Sequence, residues 1–212
     1  MMSWDATSTR FTFWTNNINQ MKYYILFGPP GAGKGTHATA VAKKYNLKHL
    51  STGELLRAEI AAGTELGKQA KALIEDGKLV PDSVVEGMIQ SAFENIKGFD
   101  GFLLDGFPRT LGQAKDLDKI LADRGEALSA VVSIMISDEL VFKRIHHRAE
   151  IEGRADDASD ETIRHRIETY HNQTEPLIDF YKKAGKYNEV WGDSPVTEEN
   201  CARVLSLMEK LQ

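Results

Sequence analysis

The stretch KYYILFGPPGAGKGT, residues 22–36, constrains the fold of this chain more than any other part of the sequence. An apolar run leads into the pattern G-x-x-x-x-G-K, from Gly28 to Lys34, and a helix-forming segment follows as far as Asn46. Glycines allow backbone N–H groups to turn towards phosphate oxygens, and the helix presents its positive end to the same oxygens. A strand, a loop and a helix in this order therefore predict a phosphate-binding unit within an α/β fold.

The loop departs from its common form at one position. Usually a serine or threonine follows the lysine directly, and its hydroxyl meets Mg²⁺. In this chain Gly35 occupies that position, and the hydroxyl comes one residue later, at Thr36. A plain glycine turn is the alternative interpretation, and the combination of strand, loop pattern and helix argues against it.

The rest of the chain alternates strand-like and helix-like segments. Ser51 and Glu54 have the spacing of a capping box, so we expect a helix from there to about Ala62. Apolar runs predict the other strands at Lys48–Leu50, Gly101–Phe107, Ala130–Ile136 and Tyr187–Gly192. The predicted fold class is therefore α/β, with a parallel sheet core and helices on both of its faces.

Two segments do not contribute to the predicted sheet. Residues 51–80 are all helix and turn, and residues 147–157 are short and polar. Both follow the carboxyl ends of strands, where parallel sheets bind their ligands, so we expect them to close over a site. The core of the domain, within residues 21–212, then comprises residues 21–50, 80–146 and 158–212.

Residues 1–20 do not share the pattern of the domain. They hold two of the three tryptophans, show no clean period and lack the features of a signal peptide. We interpret Met21 as the functional start and residues 1–20 as an N-terminal extension whose order the sequence leaves open. The alternative is an ordered arm that packs its aromatic side chains on the domain or on a neighbour.

The charge, the lengths of the apolar runs and the cysteine content limit the partners and the location that we expect for this protein. The formal net charge of the 212 residues is −5, so we expect no nucleic-acid partner, and any anion site is a local basic cluster. No apolar run approaches the roughly 18 residues of a membrane span, so no membrane partner is expected. The single cysteine, Cys201, cannot form an internal disulfide, which fits a reducing, cytoplasmic location.

Two charged residues are placed to hold the phosphates of a nucleotide. Lys34 can reach the β- and γ-phosphates from the loop. Asp105 ends a buried apolar strand, and its carboxylate can hold Mg²⁺ through water because this ion keeps much of its hydration. A helix cap or turn cap is the alternative role for Asp105.

Further candidates come from STGELLR, residues 51–57, and from LLDGFPRT, residues 103–110. Thr52 offers a donor at a helix N-terminus, and Arg57 can make a two-pronged contact with a phosphate. A capped surface helix with a solvated arginine is the alternative for this segment. The second segment aims Arg109 into the cleft, and Gln113, three residues beyond that segment, offers a donor and an acceptor on one side chain.

Arginines in the second half of the chain form a third group. Arg144 and Arg148 are four residues apart and share a helix face, and Ser137 can cap that helix. On the next helix Arg166 lies nearer the apolar face than Arg164, which is costly unless an anion or a carboxylate meets it. The alternative is ion pairing with acidic residues between the two helices, namely Glu150, Glu152, Asp156 and Asp157.

Five separated motifs together resemble the adenylate kinase family in its short-lid form. They are GPPGAGKGT, STGELLR, GKLVPD, GFLLDGFPRT with Gln113, and EGRADD followed by RHR. The resemblance runs from about Met21 to the C-terminus. It implies a monomeric P-loop kinase that transfers a phosphoryl group reversibly from ATP to AMP, giving two ADP, with Mg²⁺. Residues 51–80 would be the NMP-binding insertion, and residues 147–157 the lid.

The resemblance also assigns residues to each nucleotide. ATP would be bound by Gly31, Ala32, Gly33, Lys34, Gly35, Thr36, Arg144, Arg148 and Ser194. AMP would be bound by Thr52, Arg57, Lys78, Leu79, Val80, Gly106, Phe107, Pro108, Arg109, Gln113, Arg154 and Arg166, with the turn from Gly77 to Val80 over the base. The expected catalytic residues are Lys34, Asp105, Arg109, Arg144, Arg154 and Arg166.

Departures from the family pattern affect two of these expectations. The interval between Arg154 and Arg166 is one residue longer than expected, so Arg164 is the alternative to Arg166. The lid lacks the paired cysteines of zinc-bearing members, and the adjacent His146 and His147 are poorly spaced as ligands. We therefore expect no structural zinc.

The choice of acceptor nucleotide depends on two residues. Pyrimidine-specific relatives tend to carry a smaller residue in place of Thr52 and an asparagine in place of Gln113, so both residues favour AMP. A kinase for CMP or UMP is the first alternative function. A nucleotide-dependent binding module is the second, and the several arginine motifs argue against it because such a module needs only one nucleotide pocket.

Overall fold

The computed structural model describes residues 20–76, 78–153, 157 and 159–212. Its centre is a five-stranded sheet in the order β2-β3-β1-β4-β5, and neighbouring strands are parallel. The strands are β1 (Lys22–Phe27), β2 (Leu47–Ser51), β3 (Gly101–Asp105), β4 (Ala130–Met135) and β5 (Tyr187–Trp191). The predicted α/β fold class is confirmed.

Helices account for most of the remaining described chain. They are α1 (Lys34–Lys44), α2 (Thr52–Ala62), α3 (Glu65–Glu75), α4 (Asp82–Asn95), α5 (Leu111–Asp123), α6 (Asp138–Glu152), α7 (Asp160–Thr169), α8 (Leu177–Lys183) and α9 (Thr197–Lys210). A π-helical turn, Tyr170–Thr174, follows α7. None of the described helices is long and apolar enough to cross a membrane.

The central strand β1 is buried on both faces of the sheet. Tyr23, Ile25 and Phe27 point into one apolar core, and Tyr24 and Leu26 point into the other, as expected for side chains that alternate along a strand. The first core is completed by α4, α5 and α8, and the second by α1, α6 and α9. Helices therefore cover both faces, and the carboxyl edge of the sheet is where loops can gather around a ligand.

Element boundaries differ from the sequence-based ones in a few places. β3 ends at Asp105 rather than Phe107, because Gly106 has a φ of 78°, which a strand cannot accommodate. α1 begins at Lys34 rather than Thr36, directly after Gly33 with its φ of 86°. α6 continues to Glu152, so residues 147–152 are helical. The expected short lid therefore begins within a helix.

The helical insertion predicted for residues 51–80 contains α2 and α3, which pack closely against each other. Ser51 accepts a hydrogen bond from the backbone of Glu54, as its capping position predicts, and Gly63 ends α2. A Cβ atom at Gly67 would lie 2.2 Å from the carbonyl oxygen of Glu59. Only glycine permits this approach of the two helices.

Candidate active site

A cavity of about 480 Å³ opens at the carboxyl edge of the sheet. The loops after β1 and β3 line it together with α6, α7 and the π-helical turn. Among the described residues, its lining includes six cationic side chains and three carboxylates, namely Lys34, Arg57, Arg109, Arg144, Arg148 and Arg166 against Glu54, Asp105 and Glu152. A local excess of positive charge in a chain of net charge −5 is suited to a polyanionic ligand.

The glycine loop provides the backbone part of this cavity. Gly28, with a φ of 133°, passes so close to β4 that a Cβ atom would lie 2.5 Å from the carbonyl oxygen of Ile134. The N-cap residue of α1 is Gly33, which adopts a left-handed conformation and has no side chain to cap the first turn. The N–H groups of that turn are therefore available to an anion. The predicted ATP-binding residues of the loop, Gly31, Ala32, Gly33, Lys34, Gly35 and Thr36, all line the cavity.

Lys34 is held by its own loop. Its Nζ donates to the carbonyl oxygens of Gly28 and Pro29, at 2.8 Å each. Desolvation of the ammonium group lowers the pKa of Lys34 to about 8; Arg109 adds to this effect, and Asp105 partly offsets it. A bound phosphate that replaced the two carbonyl groups as hydrogen-bond acceptor would bring negative charge to the ammonium group of Lys34 and so favour its charged form.

Asp105 lies beneath the loop at the end of β3 and is 7% exposed. Burial alone would raise the pKa of its carboxyl, but the hydrogen bond from His49 and the charge of Lys34 together lower the pKa below its usual value. The distance between His49 Nε2 and Asp105 Oδ2 is 3.4 Å. An ionised carboxylate that lines the cavity fits a hydrated Mg²⁺, which prefers oxygen ligands.

Arg109 follows the turn formed by Gly106, Phe107 and Pro108, whose Phe107–Pro108 peptide bond is cis. Its Nε donates to the carbonyl oxygen of Gly106 at 2.8 Å. Its backbone carbonyl accepts from Thr174 Oγ1 at 2.9 Å, which ties it to the π-helical turn. These bonds position Arg109 at the cavity wall from two elements that are far apart in sequence.

Arg148 and Arg166 meet at one carboxylate. Arg148 donates to Asp157 through Nε at 2.7 Å and Nη2 at 2.9 Å, and Arg166 Nη1 donates to Asp157 Oδ1. Asp157 is 2% exposed, which is tolerable for a carboxylate because both oxygens are paired. Arg164 instead lies over the ring of Phe142, 5.1 Å from its centroid, outside the cavity lining. Of the two candidates, only Arg166 reaches the cavity.

Arg144 and Ser194 are joined at the far side of the cavity. Arg144 Nη2 donates to the carbonyl oxygens of Gly192 and Ser194, at 2.8 and 3.2 Å. The hydroxyl of Ser194 donates to Glu199 Oε2 at 2.6 Å and accepts from the backbone N–H of Val196. Arg144 therefore lines the cavity, whereas Ser194 supports it from behind and is not part of its lining.

A second cavity of about 80 Å³ adjoins the first, between the helical insertion and the core. Thr52 lies here, with its Oγ1 donating to the carbonyl oxygen of Gly106 at 2.9 Å. The predicted AMP-binding residues in the lining are Thr52, Arg57, Lys78, Leu79, Val80, Gly106, Arg109, Gln113 and Arg166. Phe107 is 1% exposed and belongs to the apolar core, so its side chain lines neither cavity. Pro108 lines the first cavity only.

Some of the predicted residues cannot be placed, and some residues of the site were not predicted. Arg154 and Gly77 lie outside the described residues. Two residues of the site were not predicted from the sequence: His49, which contacts Asp105, and Thr174, which holds Arg109. Asp157 was predicted only as a possible partner of the arginines. No sequence signal marks His49 or Thr174, because their roles arise from the packing of distant segments.

Comparisons with known proteins agree with this geometry. The family model for adenylate kinase matches residues 26–186. An adenylate kinase of Stenotrophomonas maltophilia is 46% identical over 185 residues, which cover 87% of this chain and 98% of the relative.

Relatives from two other organisms extend the comparison. An adenylate kinase of Phocaeicola vulgatus is 42% identical over 187 residues, which cover 88% of this chain and 98% of the relative. One of Leptospira biflexa is 47% identical over 172 residues, which cover 81% of this chain and 92% of the relative. The chain belongs to the adenylate kinase family.

Proposed function

We propose that this chain transfers the terminal phosphoryl group of ATP reversibly to AMP, giving two ADP. The observation that carries this proposal is the junction of the two cavities. Six described residues line both cavities, and three of them are arginines: Gly53, Arg57, Leu79, Gly106, Arg109 and Arg166. A donor phosphate chain on the glycine loop and an acceptor in the smaller cavity would meet at these arginines.

The side chains at the junction act on charge rather than by covalent chemistry. Phosphoryl transfer depends mainly on alignment and on stabilising the charge of the transferring group. Lys34, Arg109, Arg144 and Arg166 are the described residues proposed for this role, and Arg154 is proposed with them. No general base is needed, because the accepting phosphate oxygen of AMP is already ionised.

The arginines must change partners when nucleotides bind. Arg148 and Arg166 are paired with Asp157, so phosphate oxygens would compete with that carboxylate for their donors. Closure of the lid over the cavity would exclude water and so prevent hydrolysis of ATP. The acidic partner gives the arginines a defined position before closure.

Magnesium is the proposed cofactor, bound together with ATP. Asp105 would hold the hydrated ion through water, and the ion would neutralise part of the phosphate charge. We further propose a monomer in the cytoplasm, which acts on nucleotides and has neither a nucleic-acid nor a membrane partner. A structural zinc is not part of this proposal.

An ADP-release assay with ATP and each nucleoside monophosphate in turn tests the proposal. AMP is expected to give the highest kcat/KM, and ATP without an acceptor is expected to be consumed far more slowly. Faster turnover with CMP or UMP would support the pyrimidine alternative instead. Consumption of ATP at the same rate with and without an acceptor would contradict the transfer of the phosphoryl group to a monophosphate.

A further inference from the structure

We infer that Asp82 is a positioning residue that fixes the orientation of the Gln113 side chain and thereby sets which base edge the acceptor site accepts. The inference deepens the proposed function and rests on it. Asp82 is the first residue of α4, directly after the helical insertion, and Gln113 lies in the first turn of α5. The two residues are 31 positions apart in sequence.

The amide of Gln113 is held at both of its ends. Its Nε2 donates to Asp82 Oδ1 at 2.7 Å, and its Oε1 accepts from the backbone N–H of Arg109 at 2.7 Å. Gln113 is 2% exposed. A carboxylate can only accept and a backbone N–H can only donate. Rotating the amide by half a turn would therefore place two acceptors, and two donors, against each other.

Asp82 is itself fixed by the start of α5. Its Oδ2 accepts from Thr110 Oγ1 at 3.0 Å, and the same hydroxyl accepts from the backbone N–H of Gln113 at 3.2 Å. A negative charge is favourable near a helix N-terminus. A Cβ atom at Gly112 would lie 3.2 Å from Asp82 Oδ2, so the carboxylate lies directly against the first turn of the helix.

The fixed amide keeps one N–H and one oxygen lone pair that the two contacts do not use. Gln113 lines the smaller cavity, so this pair is its means of contact with a base. Adenine presents an amino donor beside a ring-nitrogen acceptor. It therefore pairs with an amide whose oxygen faces the amino group and whose N–H faces the ring nitrogen. Hypoxanthine presents a carbonyl acceptor beside a ring N–H donor, which is the reverse order.

An amide free to rotate could adapt to either edge, but one held by Asp82 and Arg109 cannot. The contact therefore discriminates AMP from the monophosphate of hypoxanthine, IMP. Cytosine shares the donor–acceptor order of adenine, so this device does not separate AMP from CMP. That second discrimination depends on the size of the pocket, where Thr52 lies.

The test compares Asp82→Ala with Asp82→Asn, and uses Asp116→Asn as the matched control. Asp116 is an exposed acid one turn further along α5, and its substitution removes the same charge without removing any of the hydrogen-bond partners that hold Gln113, which are Asp82, Arg109 and Thr110. Asp82→Ala should raise the KM for AMP about tenfold and lower the AMP-to-IMP ratio of kcat/KM about tenfold. The KM for ATP should stay within about twofold of wild type.

Asp82→Asn should recover most of the discrimination. Its Oδ1 can still accept from Gln113, and its Nδ2 can donate to the hydroxyl of Thr110, which is able to accept. An unchanged AMP-to-IMP ratio in Asp82→Ala would overturn the inference. Equal losses for ATP and AMP with a lowered Tm would overturn it as well, because they indicate a merely structural role.

Nuclear magnetic resonance provides a readout that needs no catalysis. In the wild type, one of the two Gln113 side-chain amide protons should be shifted downfield and protected from exchange, with Gln113→Leu identifying the signal. The shift should persist in Asp116→Asn and disappear in Asp82→Ala; its persistence in the latter would contradict the inference. If AMP were not a substrate of the wild type, the proposed function would fail whatever this signal showed.

Discussion

The two ends of the site are held in different ways. At the proposed phosphate end, Lys34 is bound to carbonyl groups of the loop, and Arg148 and Arg166 are bound to the carboxylate of Asp157; an incoming phosphate would have to displace these partners. At the base end, Thr52 and Gln113 make neutral or singly charged hydrogen bonds that can persist when a base binds. At the phosphate end, ligand binding would therefore replace strong contacts, whereas at the base end the existing contacts would stay in place.

This difference predicts different kinetic effects. Groups that gain charge partners in the transition state affect kcat, whereas groups that contact a base in the ground and transition states alike affect KM. Substitutions at the phosphate end should therefore reduce turnover by large factors. Those at the base end should alter the choice of acceptor by smaller ones.

The largest effect is expected for Lys34→Met. Removing a charge that contacts the transferring phosphates should lower kcat about 10³-fold. The Tm should not fall, because the ammonium group is desolvated and its removal relieves that cost. Lys43→Met, at an exposed position on the same helix, is the control and should leave both quantities unchanged. A kcat within tenfold of wild type would remove Lys34 from the catalytic group.

The next effect separates two neighbouring arginines of α7. Arg166→Ala should lower kcat about 10²-fold or more, because Arg166 lines both cavities. Arg164→Ala should change kcat by less than about twofold, since this side chain stacks on Phe142 outside the cavity. Steady-state kinetics of the two variants decide between them, and the reverse order would restore Arg164 as the catalytic arginine.

A smaller effect is expected on the pH dependence of kcat/KM for ATP. The pKa of Lys34 is lowered to about 8, and the cation is the form that binds phosphate, so kcat/KM for ATP should fall about tenfold per pH unit above 8. The pKa of Asp105 is lowered, so this carboxyl should stay ionised throughout the alkaline range. Lys34→Arg should lose the alkaline decline, because a guanidinium does not titrate there. An identical decline in this variant would assign it to another group.

The smallest effect is expected at the base end of the site, at Thr52. Thr52→Ala should raise kcat/KM for CMP relative to AMP about tenfold, because the smaller residue enlarges the pocket for a base of another shape. Thr52→Ser keeps the hydroxyl that donates to Gly106 and removes only the methyl group. A change in Thr52→Ala that Thr52→Ser does not share would assign the selectivity to the hydrogen bond rather than to the size of the pocket.

Local patterns account for what could be predicted from the sequence. The strand, glycine loop and helix were identifiable because they are contiguous, and Arg166 was preferred to Arg164 from the period of one helix. The pairs His49–Asp105 and Asp82–Gln113 span 56 and 31 positions, so they depend on how the sheet and helices pack. Ser194, predicted to bind ATP, instead supports Arg144 from behind the cavity, and its hydroxyl is bound to Glu199.

Gly35 replaces the hydroxyl residue of the common loop, and its surroundings show what kind of constraint acts there. Apart from its chain neighbours and the backbone of its own helix, no atom of the described residues lies within 4 Å of the position that a Cβ atom would occupy, and the residue lies in a helix. Replacing a helical glycine by alanine ordinarily stabilises a protein by roughly 0.5–1 kcal/mol. A library selected for thermal stability alone would therefore discard this glycine, whereas one selected for growth would retain it if the ligand requires an open helix end. Selection for stability and selection for activity are therefore expected to favour different residues at position 35.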